Sequence, residues 1–209
     1  QRREKSVVRR LRESNLPLEK SFDTLSLERL GRKLTQQITV LREGLFLERR
    51  ENVLAFGCPG SGKTHLLAAL GQELVRSGHR VYFTSTSLLV QELLRAKKEL
   101  KLDKHLKKLA LFDVLIIDDI GYVQQDRQEM EVLFTLLAAR YERGSVMITS
   151  NLSFSKWESI FKDPMTTAAA IDRLVHHCII LELNVPSYRM EKAQHRNNKN
   201  QKGTINDNK

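Results

Sequence analysis

Eight residues, Gly57-Cys58-Pro59-Gly60-Ser61-Gly62-Lys63-Thr64, constrain this chain more than any other stretch. They fit the pattern G-x-x-x-x-G-K-[ST] without a mismatch. An apolar run, Val53-Leu54-Ala55-Phe56, leads into them, and Leu66, Leu67, Leu70 and Leu74 follow at helical spacing. Strand, glycine loop and helix in that order form a phosphate cradle. Glycines let backbone N–H groups turn inward around phosphate oxygens, and the following helix adds its positive N-terminal end. The candidate nucleotide-binding residues are therefore Gly57, Pro59, Gly60, Ser61, Gly62, Lys63 and Thr64. The Lys63 ammonium is expected to reach the β- and γ-phosphates of ATP, and the Thr64 hydroxyl to coordinate Mg²⁺.

A second stretch, Asp113-Val114-Leu115-Ile116-Ile117-Asp118-Asp119, reads as a strand buried on both faces that ends in two carboxylates. Such carboxylates are costly beside apolar residues unless they meet a cation or hydrogen-bond donors. At the carboxyl end of a parallel strand they face the ligand crevice. Asp118 is thereby placed in the Mg²⁺ shell, and Asp119 is placed to orient or deprotonate the attacking water. Asn151, the last residue of the strand Ser145–Asn151, is a candidate partner of the γ-phosphate or of that water, although asparagine is also a common turn residue.

With 209 residues the chain can bury one α/β core with short appendages. It begins with Gln1 and reads as part of a longer protein. The charged first residues do not form a secretory signal, and no apolar run approaches the ~20 residues of a membrane span, so a cytoplasmic protein without membrane contact is expected. Cys58 and Cys178 lack metal-ligand spacing and read as reduced thiols. The neighbours His176 and His177 are expected to point to different sides of a regular element, which makes a metal site built from protein ligands improbable. The net charge of +10 is concentrated. Residues 1–20 carry +4, residues 95–108 carry +5 and residues 186–209 carry +4, so the rest of the chain sits at −3. Clustered positive charge of this kind suits a polyanion such as DNA.

Residues 1–15 read as a basic helix stopped by Pro17, residues 26–43 as one helix, and residues 88 to about 109 as a helix ending in a lysine-rich stretch. Arg80–Thr84 and Cys178–Leu183 read as strands, and residues 126–142 and 166–176 as helices. Trp157, Ile160 and Phe161 read as packing residues on a short helix, and disorder is expected from about Gln194. Strands alternating with helices imply a mainly parallel sheet of five strands covered on both sides.

With these residues in view, the chain resembles the AAA+ ATPases, and more narrowly the IstB/DnaC group of transposition helpers and helicase loaders. The resemblance covers about residues 10–190. It rests on the lead-in Leu16-Pro17 to Leu25, on Gly57 to Leu66 including His65, and on Leu115 to Gly121. It also rests on Thr149-Ser150-Asn151, on Ala170-Ile171-Asp172-Arg173-Leu174 and on Ser187-Tyr188-Arg189. It implies a three-layer α/β/α P-loop NTPase of residues 21–185, flanked by a basic N-terminal segment of residues 1–20 and a basic, largely disordered tail of residues 186–209. It adds His65 to the nucleotide-binding set. It makes Lys63 and Thr64 the Walker A pair, Asp118 and Asp119 the Walker B pair, and Asn151 sensor 1. Arg173 becomes an arginine finger acting on ATP held by a neighbouring subunit. About 25 residues follow the last strand, too few for the C-terminal helical lid common in AAA+ proteins, and Arg189 is left without a firm role.

The function implied is an ATPase that oligomerises on duplex DNA and delivers or activates a transposase. The alternative within the group is a loader of a replicative helicase acting on single-stranded DNA. A small-molecule kinase would carry an Arg-rich lid and an acceptor pocket, and the pair Asp118-Asp119 followed by a strand ending in Asn151 argues against it. Asp119 is one methylene shorter than the glutamate common at its position, which leaves open a nucleotide-gated DNA scaffold with negligible turnover.

Overall fold

The computed structural model describes residues 2–121, 126–153, 156–157, 164–188 and 190–191. Five strands carry the architecture: β1 (Asn52–Gly57), β2 (Val81–Ser85), β3 (Val114–Ile120), β4 (Ser145–Ser150) and β5 (Cys178–Leu183). They form one sheet in the order β2-β3-β4-β1-β5, and every pairing is parallel. Parallel strands need covered faces, because their crossover helices lie on both sides. The sequence supplies this with apolar residues at consecutive positions. Val114 and Ile116 of β3 point into one core while Leu115 and Ile117 point into the other, and all four are at most 1% exposed.

The first core packs β1, β3, β4 and β5 against α1 (Arg2–Glu13), α2 (Arg32–Arg42), α3 (Leu45–Glu48) and α4 (Lys63–Arg76). Val7 and Leu11 of α1, and Leu16 after it, join this core. The second core packs the other face against α5 (Thr86–Lys98), α6 (Leu102–Leu109), α7 (Arg127–Arg140) and α8 (Pro164–Val175). Trp157 is buried in the second core, as packing residues should be. Ile160, Phe161, Arg189 and the tail from Gln194 lie outside the described residues, and so does most of the segment in which a helical lid would fall. Among the described residues, no helix is long and apolar enough to cross a membrane.

Two long helices expected from the apolar spacing are each broken. Residues 26–43 divide into a 3-10 turn, Leu27–Arg29, and α2. Gly31 is extended (φ −61°, ψ 156°) and starts α2, which frees residues 20–30 to run across the phosphate loop. Residues 88–109 divide into α5 and α6 at Leu100. There the N–H of Lys101 bonds Ala96 O (2.7 Å) and the N–H of Leu100 bonds Lys97 O (3.1 Å), which closes α5 with the paired C-terminal bonds usually built on glycine. Leu100 takes the left-handed conformation itself (φ 56°), at a cost of about 1–2 kcal/mol. A break that uses leucine leaves no mark in the sequence. The end of α4 uses the same closure with Gly78, and there the sequence does show it.

Arg140, at the end of α7, is 4% exposed. Its guanidinium donates to the carbonyls of Leu109, Phe112, Asp113 and Ser145 at 2.9–3.2 Å, tying α6, the approach to β3 and the start of β4 together. Burial lowers its pKa to about 10, still well above neutrality, so the group stays charged. Arg140→Met strands these carbonyls and is expected to cost about 3 kcal/mol, read as a lower urea midpoint with an unchanged slope.

Candidate nucleotide site

The phosphate loop joins the carboxyl end of β1 to the first turn of α4. Gly62 caps α4 in the left-handed region (φ 100°), a conformation glycine adopts without strain. Gly57 has no room for a side chain, since a Cβ would sit 2.7 Å from the Leu183 carbonyl and 2.8 Å from Ser61 Oγ. Lys63 is buried, and its ammonium donates to the carbonyls of Gly57 (2.7 Å) and Cys58 (3.0 Å). The loop therefore holds the cation at its own centre.

Beside it, β3 carries the two carboxylates at its far end but runs one residue beyond them, to Ile120. A register shift against β4 falls between Ile117 and Ile120, and Asp119 takes the left-handed conformation (φ 65°). Bulges of this kind re-aim a side chain. Asp118 stays half-buried and Asp119 turns out to line the cavity over the phosphate loop. Thr149 of β4 holds both: its hydroxyl donates to Asp118 Oδ1 (2.6 Å) and accepts from the Asp119 N–H (2.8 Å). Thr64 also lies close enough to Asp118 to favour its charged form. Burial raises the Asp118 pKa above the usual carboxylate value, against the hydrogen bond from Thr149 and the influence of Thr64; the charge of Asp119 adds to the rise, and that of Lys20 opposes it. A divalent cation between Thr64 and Asp118 would relieve that cost. In the sequence Thr149 stands out only as part of Thr149-Ser150-Asn151, and nothing there marks it as the link between the two aspartates.

The cavity measures about 290 Å³. Of the candidate residues, Pro59, Gly60, Ser61, Gly62, Lys63, Thr64, His65, Asp119 and Asn151 line it, while Gly57 and Asp118 stand behind the lining. Ser61 Oγ and Asn151 Oδ1 are buried and have no hydrogen-bond partner among the described residues, which suits residues awaiting polar ligand atoms. With the buried ammonium and the Thr64–Asp118 pair, these residues fit a triphosphate with Mg²⁺. His65 lines the cavity and also binds the lead-in: Nε2 lies 2.9 Å from Ser21 O and 3.1 Å from Thr24 Oγ1, pinning that segment to α4. Gln72 does the same one turn pair later, donating to Pro17 O and Lys20 O. The lead-in contributes Lys20, Thr24, Leu25, Ser26, Arg29 and Leu30 to the lining, and the segment after β5 contributes Val185 and Tyr188. Reading residues 26–43 as one helix hid the lead-in group, and Gly31 within the apolar pattern is the signal that separates it.

Arg173 is not brought to this site. It is exposed near the end of α8, where Asn52 Nδ2 donates to Leu174 O (3.1 Å) and Asn52 N to His177 O (2.7 Å). Asn52 begins β1, whereas the phosphate loop leaves its other end. Six residues of strand separate the two by about 17 Å, farther than an arginine side chain reaches. The neighbouring histidines correct an expectation. His176 and His177 lie in a turn rather than a regular element, with ring centroids 4.1 Å apart. With Glu142 they form an exposed group whose potential ligand atoms lie within 4.8 Å of one another, and His176 Nδ1 lies 3.2 Å from Tyr141 Oη.

The described basic segments do not merge into one patch. α1 packs against α4 on one face of the sheet and α6 packs beside α5 on the other. Lys97, Lys101 and Lys107 pair with Glu131, Glu99 and Asp103, exposed contacts of little net strength.

Comparison with known proteins places this geometry. The sequence profile of IstB-like ATP binding proteins matches residues 1–196. A protein of Sinorhizobium fredii named as an insertion-sequence ATP-binding protein is 44% identical over 201 residues, covering 94% of this chain and 67% of that protein. One of Pseudomonas aeruginosa, named for the insertion sequence IS21, is 38% identical over 92% of this chain and 73% of its own length. Among solved structures, the DnaC helicase loader superposes with a TM-score of 0.61 at 26% identity, covering 70% of this chain and 86% of that one. DnaI superposes with a TM-score of 0.66 at 19% identity, covering 81% and 95%, a likeness of fold.

Proposed function

The chain belongs to the IstB-like ATP-binding proteins, and from that premise we propose that it hydrolyses ATP while assembled on duplex DNA and thereby delivers or activates a transposase. The observation that carries the proposal is the separation of Arg173 from the cavity. The phosphate loop and the Asp pair stand at one end of the parallel sheet and the guanidinium at the other. A protomer therefore holds two incomplete halves, and head-to-tail contact completes a site between neighbours.

Within the cavity, Lys63 and the loop N–H groups bind the β- and γ-phosphates. Thr64 and Asp118 would hold Mg²⁺, which supplies charge neutralisation at the transferred phosphoryl group. Asp119 orients a water and takes its proton as the water oxygen attacks the γ-phosphorus, and the bridging oxygen leaves with ADP. Asn151 holds the same water by accepting from it at Oδ1, or the γ-phosphate by donating from Nδ2. The partner's guanidinium covers the charge that develops on the phosphoryl oxygens. Thr149 fixes the direction of both aspartates and acts through them.

The insertion-sequence relatives favour a transposase as the partner. The DnaC likeness favours a helicase as the second reading, at lower identity. Phosphate release measured with and without duplex DNA tests the proposal. Stimulation by duplex is expected, and Thr149→Val should lower the stimulated rate about 10–100-fold while ATP affinity changes little. Release that ignores DNA, or DNA-dependent assembly without any release, contradicts it.

A further inference from the structure

The residues after β5 lie across the phosphate loop. The Tyr188 N–H donates to Gly60 O (3.1 Å), and Ser187 packs where a Gly60 side chain would stand. A single turn follows, with Glu191 N bonded to Ser187 O (3.1 Å). Arg29, from the lead-in, fastens this segment at three points. Its Nη2 donates to Pro186 O (3.2 Å) and to Glu191 Oε2 (2.7 Å), and its guanidinium lies over the Tyr188 ring, 5.2 Å from the centroid. The ion pair alone counts for little, since its side chains are 25% and 41% exposed. The three contacts together hold Tyr188 at the cavity wall, which Val185 also lines.

We propose that residues 185–188 and 190–191 form a clamp, fastened by Arg29, that grips the nucleoside end of the bound nucleotide and sets how fast it leaves. This rests on the reading of the cavity as a nucleotide site. Lys63 and the loop take the phosphates, whereas Leu25, Leu30, Val185 and the Tyr188 ring offer the apolar and aromatic surface that a base and ribose require. Because Arg29 fastens the segment in advance, ordering it on binding costs less. Tyr188 is a binding residue for the nucleoside, and Arg29 and Glu191 are positioning residues for Tyr188.

The test compares ADP with inorganic tripolyphosphate, which has phosphates and no nucleoside. Tyr188→Ala is expected to weaken ADP binding and speed its release about 10-fold, the scale of one lost base–aromatic contact. Tripolyphosphate affinity should stay within about 2-fold of wild type, which also shows that the variant is folded. Tyr188→Phe should behave as wild type, and Glu191→Gln should fall between. A Tyr188→Ala variant that keeps wild-type ADP affinity, or that loses ADP and tripolyphosphate equally, overturns the clamp while leaving the phosphate site standing. Wild-type protein that binds neither compound overturns the nucleotide-site reading and the clamp with it.

Discussion

Replacing Lys63 with alanine is expected to weaken ATP binding severely and, with it, every ATP-dependent assembly step. Lys63 is buried, and its ammonium donates to carbonyls of its own loop. Truncating one member of a buried charged pair typically costs about 2–5 kcal/mol, so ATP affinity should fall from about 30-fold to several thousandfold. The fold should tolerate the change, because alanine is a good residue inside α4 and the burial of a charge is relieved. Titration calorimetry with ATP and Mg²⁺ measures the loss, and mass photometry follows assembly. Unchanged ATP-dependent assembly would count against the whole scheme.

Arg173→Ala should behave in the opposite way. The side chain stands at the far end of β1 from the cavity, so ATP affinity of the isolated protomer should stay near wild type. DNA-stimulated phosphate release should fall about 10³-fold or more, the scale on which an arginine finger acts. Arg173→Lys should recover little, since an ammonium cannot spread over several phosphoryl oxygens as a planar guanidinium does. Loss of ATP binding together with turnover would place Arg173 in the folding of α8 rather than in chemistry.

The layers and the phosphate site were legible because each had a short-range cause. Val114 to Ile117 must be buried on both faces, the loop glycines have geometric work at fixed spacing, and Cys178–Leu183 reads directly as a strand. What the residues alone concealed depends on tertiary contact. Leu100 ends a helix in a conformation that leucine rarely takes, Asp119 is turned by a bulge, and Thr149 reaches both aspartates only because β3 and β4 are neighbours. The lead-in and the clamp meet at the cavity through Arg29, across more than 150 residues of chain, which no local pattern records. Summed charge was the least instructive signal, since α1 and α6 lie on opposite faces.

The most direct test of a site shared between protomers is a mixture of two inactive proteins. Asp119→Asn removes the proton acceptor and keeps a residue that tolerates the left-handed backbone at that position. Arg173→Ala keeps the acceptor and removes the finger. Each alone should release almost no phosphate on duplex DNA. An equal mixture should recover roughly one quarter of the wild-type rate, because random head-to-tail pairing places an intact guanidinium against an intact Asp119 in about that share of interfaces. A mixture as inert as its components would contradict action across the interface.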